Sequence, residues 1–202
     1  MRAPPQHWLA ALFVVTALGA ASDGAFACAC CTSAGERTDL IMRISSSHVA
    51  ELRQLRFDKT AALFLGEADP ESIKGIATPA EKYDVQAAWQ NERLVLTFRD
   101  PAGRVGTLSL LQPNEMSIFH VDPRNQPDRG LGPALYKEWR LTSNAMGTGI
   151  FTPGMAPRQS LTLVLQGQGN NCTSVNDFTH WMLIMRGPKA QYHFFGSLVT
   201  TP

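Results

Sequence analysis

The sequence predicts an all-β fold, mainly antiparallel, in the form of a sandwich or barrel of about nine strands with one short N-terminal helix. Three observations predict it. Short stretches alternate apolar and polar residues, the connections between them are rich in the chain's 16 glycines and 13 prolines, and no long helical pattern separates the strands. Strands joined without such helices pair antiparallel, because parallel pairing needs a long crossover connection.

The first 27 residues have the layout of a secretory signal peptide, with Arg2 near the start, an apolar run over residues 8–20 and a small-residue tail ending at Ala27. A membrane-spanning helix needs roughly 20 consecutive apolar residues, and this run is shorter. We therefore expect residues 1–27 to be removed by cleavage after Ala27. The mature chain would then be periplasmic or secreted and would have no transmembrane span.

A lipoprotein signal is the alternative, in which Cys28 carries a lipid and anchors the mature protein. Ala25 stands three residues before this cysteine, where such signals usually have a larger aliphatic residue, and Asp23 makes the spacer polar. These two residues favour ordinary cleavage.

The mature chain divides into an N-terminal Cys-rich arm with a short helix, residues 28–56, and a single β-rich domain, residues 57–202. A domain of this size can bury one core. The formal net charge is +1. Because there is no strong overall field, we expect neither nucleic acid nor an anionic membrane as a partner.

The short helix is expected to begin after Ser46 or Ser47, since serine is a favoured N-cap. Val49, Leu52 and Leu55 then fall on one side and can cover an end or edge of the sheet.

The clearest strand signal is a hairpin in which residues 93–99 pair with residues 104–111. Asp100 and Gly103 stand at the first and fourth positions of a type I turn, with proline second. Seven more strands are predicted within TAALFLGEA, the stretch from Lys82 to Trp89, MSIFHVD, ALYKEWRLT, SLTLVLQG, THWMLIMRG and QYHFFGSLV.

The four cysteines predict a disulfide, because thiols of exported proteins usually pair. Adjacent Cys30 and Cys31 cannot easily reach disulfide geometry. We therefore expect Cys172 to pair with Cys28, Cys30 or Cys31, which would close a loop of about 140 residues and stabilise the fold by roughly 4–5 kcal/mol.

A soft-metal site is the alternative use of the same cysteines. Thiolates of Cys28, Cys30 and Cys31 prefer copper or zinc, and His180 and Met182 could add ligands. The spacing lacks the paired C-x-x-C units of a structural zinc site. A thiol-exchange role for the same cluster lacks the helix N-terminus that lowers a thiol pKa.

The loop SNAMGTGIFTPGMAP is the candidate ligand loop, with Met146, Phe151 and Met155 among glycines and prolines. The same side chains can instead fold down as a cap on the core, which burial favours. His120 and Asp122 share a strand face, where a carboxylate can orient an imidazole, but a histidine bonded to the adjoining loop is the simpler interpretation.

The sequence contains no nucleophile elbow, zinc-protease helix, P-loop or dinucleotide motif, and no catalytic residue is assigned. The leading prediction is an exported binding or interaction module for an unknown protein or small ligand, stapled by a disulfide at Cys172. The alternatives are a copper- or zinc-binding protein and an exported enzyme whose site residues are scattered in sequence.

Overall fold

The computed structural model describes residue 35 and residues 37–122, 135–169 and 174–199, and these contain eleven strands in one antiparallel sheet. The strands are β1 (Arg37–Arg43), β2 (Thr60–Leu63), β3 (Lys82–Gln90), β4 (Arg93–Arg99), β5 (Val105–Leu111), β6 (Glu115–Val121), β7 (Leu135–Asn144), β8 (Met146–Gly149), β9 (Ser160–Gly169), β10 (Phe178–Arg186) and β11 (Gln191–Ser197). One helix, α1 (Ser46–Gln54), and three 3₁₀ turns (Pro70–Ser72, Thr152–Gly154 and Val175–Asp177) complete the described elements.

The strands lie side by side in the order β1-β6-β7-β9-β10-β11-β2-β3-β4-β5-β8. The sheet is rolled, because β5 also approaches β7 and β9 across the core. Its inner face therefore surrounds one core. The predicted all-β antiparallel class is confirmed.

The inner face is set by strict alternation along the strands. In β4, Leu94, Leu96 and Phe98 are buried, while the residues between them are only half-buried. The hairpin prediction is confirmed: the Gly103 N–H donates to the Asp100 carbonyl at 2.9 Å, and β4 and β5 pair along their full length. The core of the rolled sheet is therefore built from every second side chain.

Helix α1 is confirmed where it was predicted, although its N-cap is Ser45 rather than Ser46 or Ser47. The Ser45 hydroxyl accepts from the His48 N–H, and the His48 ring accepts from the Ser45 N–H, which makes a capping box. Leu52 is the fully buried residue of the helix. An imidazole replaces the usual Glu or Gln of a capping box, so the serine before it was not recognised as the cap.

The number of strands is eleven rather than nine, because β1 and β8 were not predicted. β1 lies in the segment assigned to the N-terminal arm, and most of its side chains are exposed on both faces, so it has no alternation to detect. β8 is the four-residue strand MGTG. Its Gly149 has φ +59, and an added Cβ there would lie 2.1 Å from the Val105 carbonyl oxygen. Glycine is needed here because the two strands approach closely, and it does not mark a loop.

Candidate functional site

A trough with a volume of about 960 Å³ lies on the outer face of the sheet. Small-molecule sites commonly have volumes of roughly 300–1,000 Å³. Six neighbouring strands, from β9 through β10, β11, β2 and β3 to β4, contribute to it. We call it the outer trough; the lining residues used below are Thr60, Ala61, Ala62, Phe64, Lys82, Asp84, Arg99, Asp100, Gln166, His180, Trp181, Met182, Phe195, Gly196 and Ser197.

The outer trough lies over an irregularity between β2 and β11. Phe195 pairs with Ala62, but the next bridge joins Leu198 to Phe57, so residues 58–61 oppose only residues 196–197. Such a bulge bends the strands and interrupts their pairing. A concavity therefore forms where two segments distant in sequence meet.

Small residues line this concavity where β2 meets β11. We call Ala61, Ala62 and Gly196 its floor. A Cβ on Gly196 would lie 2.8 Å from the Trp181 indole, whose Nε1 donates to the Ser197 carbonyl at 3.1 Å. The buried tryptophan thus supports the floor from below, and the position above it has room only for glycine.

An apolar row crosses the outer trough from strand to strand and ends at a cation. In register, Met182 on β10 lies beside Phe195 on β11, which lies beside Ala62 on β2 and then Lys82 on β3. With strands about 4.8 Å apart, the run from β10 to β3 is about 14 Å long. We call Met182, Phe195 and Ala62, with Lys82 at their end, the apolar row, and its geometry suits an elongated apolar group with a polar end.

The β3–β4 side of the outer trough carries charges of both signs, from Lys82, Asp84, Arg99 and Asp100. Arg99 lies opposite Asp84 in the strand register, and its guanidinium donates to the Gly103 carbonyl at 3.1 Å. Asp100 is already neutralised by Arg104, with Nε and Oδ2 2.6 Å apart. Lys82 has no ion-pair partner within the part of the chain that the structure describes. Its ammonium group is therefore available to an anionic ligand group.

The opposite end of the outer trough opens onto a polar network. Gln166 donates to Glu138 at 3.0 Å, Tyr136 donates to the same carboxylate oxygen at 3.1 Å, and Arg140 binds the other oxygen. Burial, with the Glu138 charge next in size, raises the pKa of Tyr136 to about 12. Glu138 is buried, and both of its carboxylate oxygens accept hydrogen bonds from neighbouring side chains. The charge and hydrogen-bonding capacity of this carboxylate are therefore already used within the protein.

An exposed aromatic pair stands beside the apolar row. Phe64 is 58 % exposed, and its ring stacks on His193 with the centroids 6.2 Å apart. Burial, followed by the charge of Arg186, lowers the pKa of His193, so the ring is biased toward its neutral form. The stacked rings of His193 and Phe64 therefore add apolar surface next to the apolar row.

Two of the predicted metal ligands, His180 and Met182, line the outer trough on the same face of β10. His180 is exposed, and its Nδ1 lies 2.8 Å from the Thr179 hydroxyl. Among the described residues, no group of three or more His, Cys, Asp or Glu side chains is placed to hold a metal ion. Their metal role stays a prediction.

The cysteine predictions lie outside the described residues: Cys28, Cys30, Cys31 and Cys172 all belong to ranges that the structure does not describe. The predicted disulfide, the thiolate metal site and the lipid attachment point therefore stay predictions.

The three side chains of the candidate ligand loop have different surroundings. Phe151 is fully buried and packs edge-on against Phe98, with the ring centroids 5.2 Å apart. Met155 is half-buried against the core, and Met146 is exposed on β8. Phe151 thus forms part of the core, and a ligand role for this loop stays a prediction, with Met146 as its accessible member.

A second group of buried polar side chains lies on β6 and β7 and at the end of β6. Lys137 is almost fully buried, and its Nζ lies 2.8 Å from Asp177 and 2.5 Å from the Ser174 carbonyl oxygen. Burial lowers the pKa of Lys137, and the hydrogen bond and charge of Asp177 act against that shift. His120 lies opposite Lys137 in the strand register, and His120 and Asp122 are both buried. Lys137 therefore ties β7 to the turn before β10.

Sequence reasoning did not identify Phe195, Ala62 or Lys82 as site residues. One signal was present: two consecutive phenylalanines in an alternating strand must point to opposite faces, so one of Phe194 and Phe195 had to leave the core. The floor residues had no such signal, because their role depends on the pairing of β2 with β11.

Comparisons with family models, with curated proteins and with solved structures found no match. None of the described helices has the length and apolar character needed to cross a membrane. The function is therefore argued from the outer trough itself.

Proposed function

We propose that the protein is an exported binding module that holds an amphipathic small molecule, an apolar chain with an anionic head group, in the outer trough. The observation that carries the proposal is the apolar row, which runs from Met182 through Phe195 and Ala62 and ends at Lys82. The apolar chain lies along this row across the strands, and the head group lies at the Lys82 ammonium. The polar network at the Gln166 end is satisfied internally and offers little to a second head group.

The relative size of the two contributions decides what the site selects. Burying a methylene group is worth about 0.8 kcal/mol, so each added carbon that fits strengthens binding by up to about fourfold. An exposed ion pair such as that with Lys82 is worth about 0.2–1 kcal/mol, or at most about fivefold. The apolar chain therefore supplies the affinity, and the charge supplies a modest preference for anions.

Competition with a fluorescent probe tests the proposal. The anionic dye 1-anilinonaphthalene-8-sulfonate should bind at one saturable site, and straight-chain carboxylates should displace it more strongly as they lengthen toward dodecanoate. Dodecylammonium should compete two- to fivefold less well, and Lys82→Glu should reverse that preference. If the ammonium and carboxylate chains compete equally with the unaltered protein, the head-group assignment is wrong.

A matched pair of alanine-to-phenylalanine variants tests whether the dye binds at the floor of the outer trough. Ala62→Phe places a ring in the outer trough and should abolish dye binding, whereas Ala88→Phe makes the same change at an exposed position farther along the outer face of β3 and should leave it unchanged. Equal dye binding by both variants would show that the dye, and with it the proposed ligand, binds elsewhere.

Export and the disulfide are part of the proposal and are supported by the sequence: the apolar run and Ala27 support cleavage, and the cysteine arrangement supports a bond to Cys172. The intact mass of the purified secreted protein, alkylated before and after reduction, should match a chain beginning at Cys28 with two protected thiols. A lipid mass on Cys28 would replace secretion by anchoring, and four free thiols would remove the disulfide.

A further inference from the structure

Strand β1 is an edge of the sheet and has no lysine, proline or bulge along its length. Among the described residues it pairs with β6 alone, in an unbroken register of seven residues. Natural edge strands are commonly blunted by lysine, proline or a bulge. The sequence RTDLIMR contains no lysine or proline, and Ile41 at its centre is 74 % exposed.

The backbone polarity of β1 follows from one hydrogen bond at its end. The Ile44 N–H donates to the Asn114 carbonyl at 2.9 Å, in continuation of the β1–β6 register. In an antiparallel ladder, residues alternate between those whose backbone groups face the neighbour and those whose groups face away. Even-numbered residues therefore face β6, and Asp39, Ile41 and Arg43 present their N–H and C=O groups to the open edge.

We propose that β1 pairs with β1 of a second copy of the protein, antiparallel and two-fold symmetric about Ile41. In this register Ile41 of one copy lies opposite Ile41 of the other, and Asp39 of each copy lies opposite Arg43 of the other. Two opposite-charge pairs thus flank an apolar centre on the outer face, and Leu40 of each copy lies opposite Met42 of the other on the inner face. The two sheets become one continuous sheet.

Charge complementarity selects this register from the others that the backbone allows. A two-fold axis at Leu40 places Arg37 opposite Arg43, and an axis at Asp39 places two carboxylates opposite each other. An axis at Met42 places Ile41 opposite Arg43. Opposite charges directly across a strand pair stabilise the pairing, and like charges destabilise it by a similar amount. An axis at Thr38 also pairs Arg37 with Asp39 but overlaps only residues 37–39 of β1, whereas the axis at Ile41 pairs opposite charges across residues 39–43.

Sedimentation velocity over a range of concentrations tests the pairing with the purified protein. The unaltered chain should show a reversible monomer–dimer equilibrium. Arg43→Asp turns both charge pairs into carboxylate pairs and should weaken self-association by about fourfold or more, because two attractive contacts become two repulsive ones. Asp39→Arg should weaken it similarly, and the double variant Asp39→Arg/Arg43→Asp should restore it.

Arg37→Asp is the matched control, since it makes the same charge change on the same strand face but lies opposite Ser45 in the proposed register. It should change self-association by less than about twofold. A protein that is monomeric at every concentration overturns the proposal, and equal effects of Arg37→Asp and Arg43→Asp overturn the register. Unaltered melting temperatures of the variants show that each still folds, and dye binding in the outer trough should be the same in all of them.

Discussion

Two adjacent residues of β11 show how differently the two faces of this sheet are used. Phe194 is fully buried, and its ring lies 4.6 Å from that of Phe98 and 5.2 Å from that of Tyr83. Phe195 is 45 % exposed and lies in the apolar row of the outer trough. The same side chain therefore stabilises the fold at one position and is available to a ligand at the next. The backbone alternation alone separates the two roles.

The inner face should respond to truncation with the largest loss of stability. Phe194→Ala removes a ring that packs against four other aromatic rings. It should lower the free energy of unfolding by about 3–5 kcal/mol, because the lost contacts and the cavity both count. Urea unfolding followed by tryptophan fluorescence measures this, and Phe194→Leu, which leaves a smaller cavity, should lose less. A loss under about 1 kcal/mol for the alanine variant would contradict the assignment of Phe194 to the core.

Most of the inner face could be predicted from the sequence, because it depends on local alternation. The nine predicted strands are β2 to β7 and β9 to β11, and each has buried side chains at alternate positions or an apolar run. β1 was missed because an edge strand beyond the core has no buried face to reveal it. β8 was missed because its glycines, which are needed where Gly149 meets Val105, have the composition of a loop.

The outer trough could not be predicted in the same way. Its floor exists because Ala62 pairs with Phe195, while Phe57 pairs with Leu198. That change of register joins segments more than one hundred residues apart, and neither segment alone encodes it. His180 and Met182 were singled out for their metal-binding chemistry and do line the outer trough, but the chain's alternation only placed them on a common face.

Gly196 lines the outer trough and also contacts the buried ring of Trp181. A substitution there should therefore have an intermediate effect on stability. Gly196→Ala puts a Cβ 2.8 Å from the Trp181 ring, so the indole or the strand must shift. Such overpacking typically costs about 1–3 kcal/mol. Because Trp181 supports the floor of the outer trough, dye affinity should fall together with stability. Ser197→Ala, at the exposed neighbouring position, serves as the control and should change stability by less than about 0.5 kcal/mol. Unchanged stability and dye affinity in Gly196→Ala would show that the floor does not depend on this contact.

The smallest effect on stability is expected from Phe195→Ala, and it is the most informative about function. An exposed side chain outside the core contributes little to folding, so the free energy of unfolding should change by less than about 0.5 kcal/mol. The same change removes the middle of the apolar row, which lies between Met182 and Ala62. Losing a ring worth roughly 1.5 kcal/mol of ligand burial should weaken dodecanoate binding by about tenfold. A stable variant with weakened binding would show that the outer face of β11 serves ligand binding and the inner face serves stability. A variant that loses several kcal/mol of stability would place Phe195 with Phe194 as a structural residue, and a stable variant with unchanged binding would remove the apolar row from the ligand site.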